Sequence, residues 1–213
     1  MIINIRKYLL YFLILVYFSG AIGYSFYPAF FKPFTPYTLV FTCLVFVSFQ
    51  NIKEYKYILS FFALALIGYI SEVIGVKTGL VFGEYHYGDA LGFKILEVPF
   101  VISLNWALLI NIGILTGSLI NQKPIILSFI SAAIITVLDL LIEQVASEME
   151  YWHFSDGIAQ IHNYLGWFVI SFIASLVFQK FMLSGNKKIA LLFFSLQVFF
   201  FGLIYINKLI KFV

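Results

Sequence analysis

Residues 71–106 read SEVIGVKTGLVFGEYHYGDALGFKILEVPFVISLNW, and the way this stretch is read decides the fold. It starts at the end of one apolar run and finishes inside another. Between them lie four acids (Glu72, Glu84, Asp89, Glu97), a Tyr85-His86-Tyr87 cluster and five glycines. The chain of 213 residues is 62% hydrophobic and 11% charged, with a mean hydropathy of +1.01. A water-solvated domain of this size cannot hide so much apolar surface, so lipid is its solvent. Polar groups gathered beside membrane-length segments are then the first candidates for function. The plainer alternative is an interfacial loop whose aromatics anchor at the lipid headgroups.

A membrane helix needs about 20 mostly apolar residues, and seven segments qualify or nearly so: 8–31, 37–49, 57–76, 98–120, 124–146, 164–183 and 189–207. The second is short, because Pro33 and Pro36 break the backbone before it. Pro99 and Pro124 are each expected in the first turn of a helix. The basic start with Ser19, Gly20 and Ala21 resembles a signal peptide, but the apolar run continues to Phe31, long enough to span. An uncleaved first helix is therefore expected. The expected fold is an all-α, polytopic membrane bundle of about seven transmembrane helices, one domain over residues 1–213, in a cell membrane such as the bacterial inner membrane. Seven spans put Arg6, Lys7, Lys53, Lys56, Lys123, Lys180, Lys187 and Lys188 on one side and Lys32, Lys77, Lys94, Lys208 and Lys211 on the other. That bias makes the amino-terminal side cytoplasmic and puts both acidic aromatic loops on the opposite face.

The second such loop, 147–167, reads SEMEYWHFSDGIAQIHNYLGW. It echoes the first: an intramembrane acid precedes each (Glu72; Asp139), a Glu-Tyr pair follows (Glu84-Tyr85; Glu150-Tyr151), and each leads to a tryptophan (Trp106; Trp167). Chance in an aromatic-rich chain explains the echo as well as an internal repeat does. Asp139 and Glu143 are four residues apart and share a helix face. Two ionised carboxylates so close at membrane depth cost several kcal/mol, so at least one is expected to keep its proton. They could act as a general acid or as a hydrogen-bonded clasp between helices. Aromatic faces at Tyr85, Tyr87, Trp106, Tyr151, Trp152 and Trp167 could form a headgroup belt or steady a cation.

Other chemistries lack their parts. A net charge of +3 from scattered residues makes no nucleic-acid footprint. Cys43 is alone, and His86, His153 and His162 are not at metal-box spacing, so no metal site is expected. Phosphate loops, a dinucleotide fingerprint and a nucleophile elbow are missing from the sequence.

At these residues the chain resembles the carotenoid biosynthesis membrane family that contains the carotenoid 1,2-hydratases. The resemblance is carried by Glu72-x-x-Gly75-x-x-Thr78-Gly79, Phe82-Gly83-Glu84-Tyr85-His86-Tyr87, Leu91-Gly92, Val98-Pro99 and Trp106. It continues with Asp139, Trp152 and Asn163-Tyr164-Leu165-Gly166-Trp167. Ala159-Gln160 stand where the family has a proline, and the second loop is short. The resemblance implies addition of water to the terminal double bond of an acyclic carotenoid such as lycopene, gamma-carotene or bisanhydrobacterioruberin, with no cofactor. Asp139 or Glu72, with Glu143 nearby, would protonate the alkene. Tyr85, Tyr87, Trp106, Trp152 and Trp167 would steady the tertiary cation, and Glu84, His86 or Asn163 would hold the water. The implied partners are the lipid bilayer, the carotenoid and other enzymes of its synthesis. A carotenoid cyclase, which shares the protonation, and a non-enzymatic proton-coupled transporter or structural subunit are the rivals.

Overall fold

A computed structural model describes residues 2–211. Helix α1 (Ile2–Phe26) is followed by the single turn α2 (Pro28–Phe31), a 3-10 turn (Lys32–Phe34) and α3 (Thr35–Ser48). Then come α4 (Tyr55–Thr78), the short strands β1 (Tyr85–Tyr87), β2 (Lys94–Ile95) and β3 (Val98–Pro99), α5 (Phe100–Gly117) and α6 (Pro124–Glu143). Strand β4 (Trp152–Phe154), α7 (Ile161–Met182) and α8 (Lys187–Lys211) complete the order. Among the described residues seven segments are long and apolar enough to cross a membrane, the second being the composite Pro28–Ser48. The all-helical bundle read from the sequence is the observed fold.

Helix α5 is the most buried of the spanning helices and lies in the interior of the bundle rather than against lipid. It packs on α3, α4, α6, α7 and α8, and its Asn111 amide donates to the Tyr57 hydroxyl at 2.5 Å. The seam between α6 and α7 is built from small hydroxyl residues, which let helix backbones approach and hydrogen-bond across the gap where lipid offers no hydrophobic drive. Ser131 and Ser175 meet there at 2.8 Å, and the Gln179 amide donates to Ser128 at 3.0 Å.

The structure corrects several local expectations. The proline break at Pro33 and Pro36 is bridged by the 3-10 turn, so the short second segment is lengthened at its start to 21 residues. Prolines tolerate helix starts because the missing N–H has no intrahelical partner there. Pro124 behaves as expected, but Val98 and Pro99 precede their helix, in β3, paired with Ile95 and Lys94. Leu96 and Glu97, both at positive φ (50° and 71°), close that two-residue hairpin, the backbone a type I′ turn demands. The Tyr69 hydroxyl donates to Ile95 O at 2.6 Å, and Lys77 pairs with Glu97 at 2.6 Å.

The two acidic aromatic loops also depart from the irregular structure expected of them. Strands β1 and β4 pair antiparallel, with Tyr85 opposite Phe154, His86 opposite His153 and Tyr87 opposite Trp152. The pairing puts both loops on one membrane face. The end of α1, the 3-10 turn that follows it and the end of α8 join them there: Lys32 of the turn meets Glu150 at 3.6 Å, Lys208 meets Glu148 at 2.8 Å, and Asn207 donates to Ser25 O. On the opposite face Gln50 accepts from the Asn186 backbone at 2.8 Å.

Three glycines let other segments approach around the two loops. A Cβ at Gly88 would lie 2.4 Å from Glu150 O, and one at Gly166 2.4 Å from Val81 O, so each glycine admits the backbone of another segment. A Cβ at Gly68 would meet Trp106 Cβ at 2.3 Å, so this glycine lets the root of Trp106 sit on the α4 backbone. Reporter fusions after Asp89 and after Asp156 are expected to report the same side of the membrane; opposite sides would refute this topology. Gly68→Ala is expected to cost about 1–3 kcal/mol by overpacking, seen as a lower thermal midpoint in detergent.

Candidate active site

Three turns of α4 carry Gly68, Glu72 and Gly75 on the face toward α5 and the loops. Gly68 admits Trp106, and Gly75 admits Phe82 and the Tyr85 hydroxyl, so an acid is enclosed by aromatics between two residues without side chains. Glu72 is six residues, about 9 Å, inside the end of its helix, and only 3% exposed. Tyr85 and Tyr87 donate to its Oε2 at 2.5 and 2.7 Å, and the Trp106 indole donates to Oε1 at 2.8 Å. Alternation along β1 explains the two tyrosines: residues two apart point to the same side, leaving His86 between them outward. Burial, then the neighbouring Glu72 carboxyl, pushes both phenols well above their ordinary range, so they remain donors.

A second cluster lies close to the first. Asn163, in the first turn of α7, donates from Nδ2 to Asp139 Oδ2 at 2.8 Å and to Glu143 Oε1 at 3.1 Å. The Trp152 indole bridges both Glu143 oxygens at 3.1 and 3.2 Å. Asp139 Oδ1 is buried and meets no hydrogen-bond partner among the described residues. Between the clusters Trp106 and Trp167 stack face to face, with centroids 4.0 Å apart and planes at 14°. Phe82 packs on both.

Two cavities adjoin these groups. A small pocket of about 20 Å³ is walled by Glu72, Tyr85, Tyr87, Asn105, Asn163 and Trp167, among others. A chamber of about 480 Å³ lies beside it, between α1, α3, α5 and α8, lined mainly by aromatic and aliphatic side chains including Phe31, Phe41 and Phe200. The two share Ile102, Asn105, Ile142 and Trp152 as walls. Glu72 is the carboxyl among the described residues that lines either space.

Most residues singled out from the sequence converge here. Glu72, Tyr85, Tyr87, Trp152, Asn163 and Trp167 line the small pocket, and Trp106 lies directly behind Glu72. Asp139 and Glu143 stand one layer back, behind Asn163 and Trp152. Glu84 and His86 are exposed and line neither cavity. His86 instead stacks on His153, with centroids 5.3 Å apart. Glu150 is also outside, its carboxyl held below the ordinary range by the hydrogen bond from His153. Sequence reasoning missed Asn105 as a site residue; its place one residue before Trp106 was the available signal. It also missed the first and last helices as chamber walls, because an apolar helix wall has no motif. Among the described residues no three His, Cys, Asp or Glu side chains come together as a metal site.

The profile of carotenoid biosynthesis proteins matches residues 34–212. A bisanhydrobacterioruberin hydratase of Haloarcula japonica is 28% identical over 130 residues, which cover 56% of this chain and 44% of that one. The chain thus spans less than half the length of that relative. No solved structure matches. With the profile covering the chain from the start of α3 to the last helix, across both halves of the site, the protein belongs to the carotenoid biosynthesis protein family.

Proposed function

We propose that this protein is a carotenoid hydratase of the cell membrane, adding water to the terminal double bond of an acyclic carotenoid end group to give a tertiary alcohol. The observation that carries the reading is a buried carboxyl at the wall of a small polar pocket that adjoins an apolar chamber between membrane helices. A polyene hydrocarbon suits such a chamber, since apolar walls with few convergent polar groups are what a ligand site of that class requires. The name of the Haloarcula relative supports the same reaction class.

In this reading Glu72 hands its proton to the less substituted alkene carbon. The π bond breaks, a C–H bond forms, and the neighbouring carbon becomes a tertiary cation. Two phenols and an indole are already aimed at the carboxylate this leaves behind. Donors placed in advance where charge develops stabilise the transition state without reorganising at the moment of reaction. The faces of Trp152, Trp167 and Tyr87 steady the cation. Water adds through oxygen, and its surplus proton returns to Glu72, so the cycle closes without any cofactor. Asp139 and Glu143 serve the pocket indirectly, by fixing the Asn163 and Trp152 side chains that wall it.

Expression in a lycopene-producing bacterium is expected to yield a more polar pigment, heavier than its precursor by one water. An unchanged mass with a new ring would identify a cyclase, and unchanged pigment would remove the enzymatic reading. Glu72→Gln keeps the shape but has no proton to give, and is expected to lower turnover by at least ~100-fold, the low end for general acid catalysis. Asp139→Asn is expected to cost less than that, and Glu150→Gln very little. Purified protein in detergent is expected to work under nitrogen with chelator present; loss of activity there would point to an oxygen- or metal-dependent route.

A further inference from the structure

The small pocket has a volume of about 20 Å³, room for about one water molecule. It shares a wall with the 480 Å³ chamber. Most polar side chains that line it are already engaged. Tyr85 and Tyr87 donate to Glu72, Trp152 donates to Glu143, and the Asn163 nitrogen is held by Asp139 and Glu143. Asn105 differs. It stands on α5, otherwise the most buried of the spanning helices, is itself half-buried, and lines both the pocket and the chamber. Its amide makes no side-chain hydrogen bond among the described residues. A primary amide kept at membrane depth without a partner costs free energy unless something else satisfies it.

We propose that the small pocket is the binding site of the single nucleophilic water, and that Asn105 holds this water facing the chamber. The inference rests on the hydratase reading. A water that attacks a cation must keep a lone pair free, so it is best held through its own O–H groups, by acceptors. The Asn105 carbonyl can supply one acceptor, and the Asn163 carbonyl, whose nitrogen is pinned behind it, can supply the second. The Trp167 indole, a donor only, can bind one of the water's two lone pairs and so leaves one for the attack. With the water there, the alkene end can be protonated from the Glu72 wall in surroundings that admit no bulk water, and the new C–O bond forms across Asn105. The oxonium proton then passes to the Glu72 carboxylate on the same pocket wall.

The two halves of the reaction can be read separately in D₂O. Wild-type protein is expected to give the alcohol carrying deuterium on the carbon next to the new C–O bond. Asn105→Leu, which fills the pocket and removes the acceptor, is expected to lower alcohol formation by about tenfold or more, the scale of losing one positioning hydrogen bond in a polar network. The cation still forms in this variant. Having no water to capture, it loses a proton and returns alkene, so recovered substrate is expected to carry deuterium at the terminal double bond. Should Asn105→Leu fail to insert, Asn105→Ala is read in the same assay. Alcohol formation at the wild-type rate in the inserted variant overturns the proposal. So does loss of deuterium uptake together with alcohol, because Asn105 would then serve protonation or folding. A wild-type protein that forms no alcohol instead removes the hydratase reading, a different result from an active wild type that does not need Asn105.

Discussion

A carboxyl group inside a lipid-solvated bundle has to be met by donors from the protein, because lipid offers none and water is kept out. Glu72 states that requirement, and much of the structure answers it. Tyr85 and Tyr87 reach it from a strand and Trp106 from the central helix. Strand β1 holds the tyrosines in place by pairing with β4, and the pairing carries Trp152 onto Glu143. The hydrogen bonds of Glu72 thus tie α4, α5 and the first loop together, and the strand pairing adds the second loop.

Glycine makes the assembly compact. Gly68 lets Trp106 rest on the α4 backbone one turn from Glu72, and Gly75 makes space for Phe82 and Tyr85 on the other side. Gly166 admits the Val81 carbonyl against α7 one residue before Trp167, which then stacks on Trp106. A tryptophan pair at 4.0 Å between helices is possible only where the surrounding backbones come this close. Of the two rings, Trp167 faces the small pocket, while Trp106 is fully buried behind it.

The polar and apolar spaces are separated by their walls rather than by distance. The chamber takes its lining from α1, α2, α3 and α8, whose exposed outer faces are in lipid, and its inner side from α5 and the second loop. The apolar chamber and the pocket walled by the buried acid thereby meet at the same four residues, Ile102, Asn105, Ile142 and Trp152. Asp139, with one oxygen bound by Asn163 and the other without a partner among the described residues, is set behind that boundary.

Composition and run length were enough to read seven membrane segments and the all-helical class, because the bilayer imposes a length and an apolarity that any spanning helix must show. The intramembrane acids could be picked out for the same reason: at membrane depth a carboxyl is conspicuous, and Glu72, Asp139 and Glu143 are each embedded in an apolar run. The echo of the two loops was legible as pattern, but its outcome, an antiparallel pair with Tyr87 opposite Trp152, was not, since three-residue strands are too short to show a period. Val98 and Pro99 were misassigned because a proline before an apolar run fits a helix start and a strand end equally well. Only the tertiary structure put Glu72 at the pocket wall and Asp139 one layer back, turned Glu84 and His86 outward, and brought Asn105 between the two cavities. Those distinctions depend on which face of each helix meets which neighbour, and helices that are apolar on nearly every side leave no trace of that choice in their sequences.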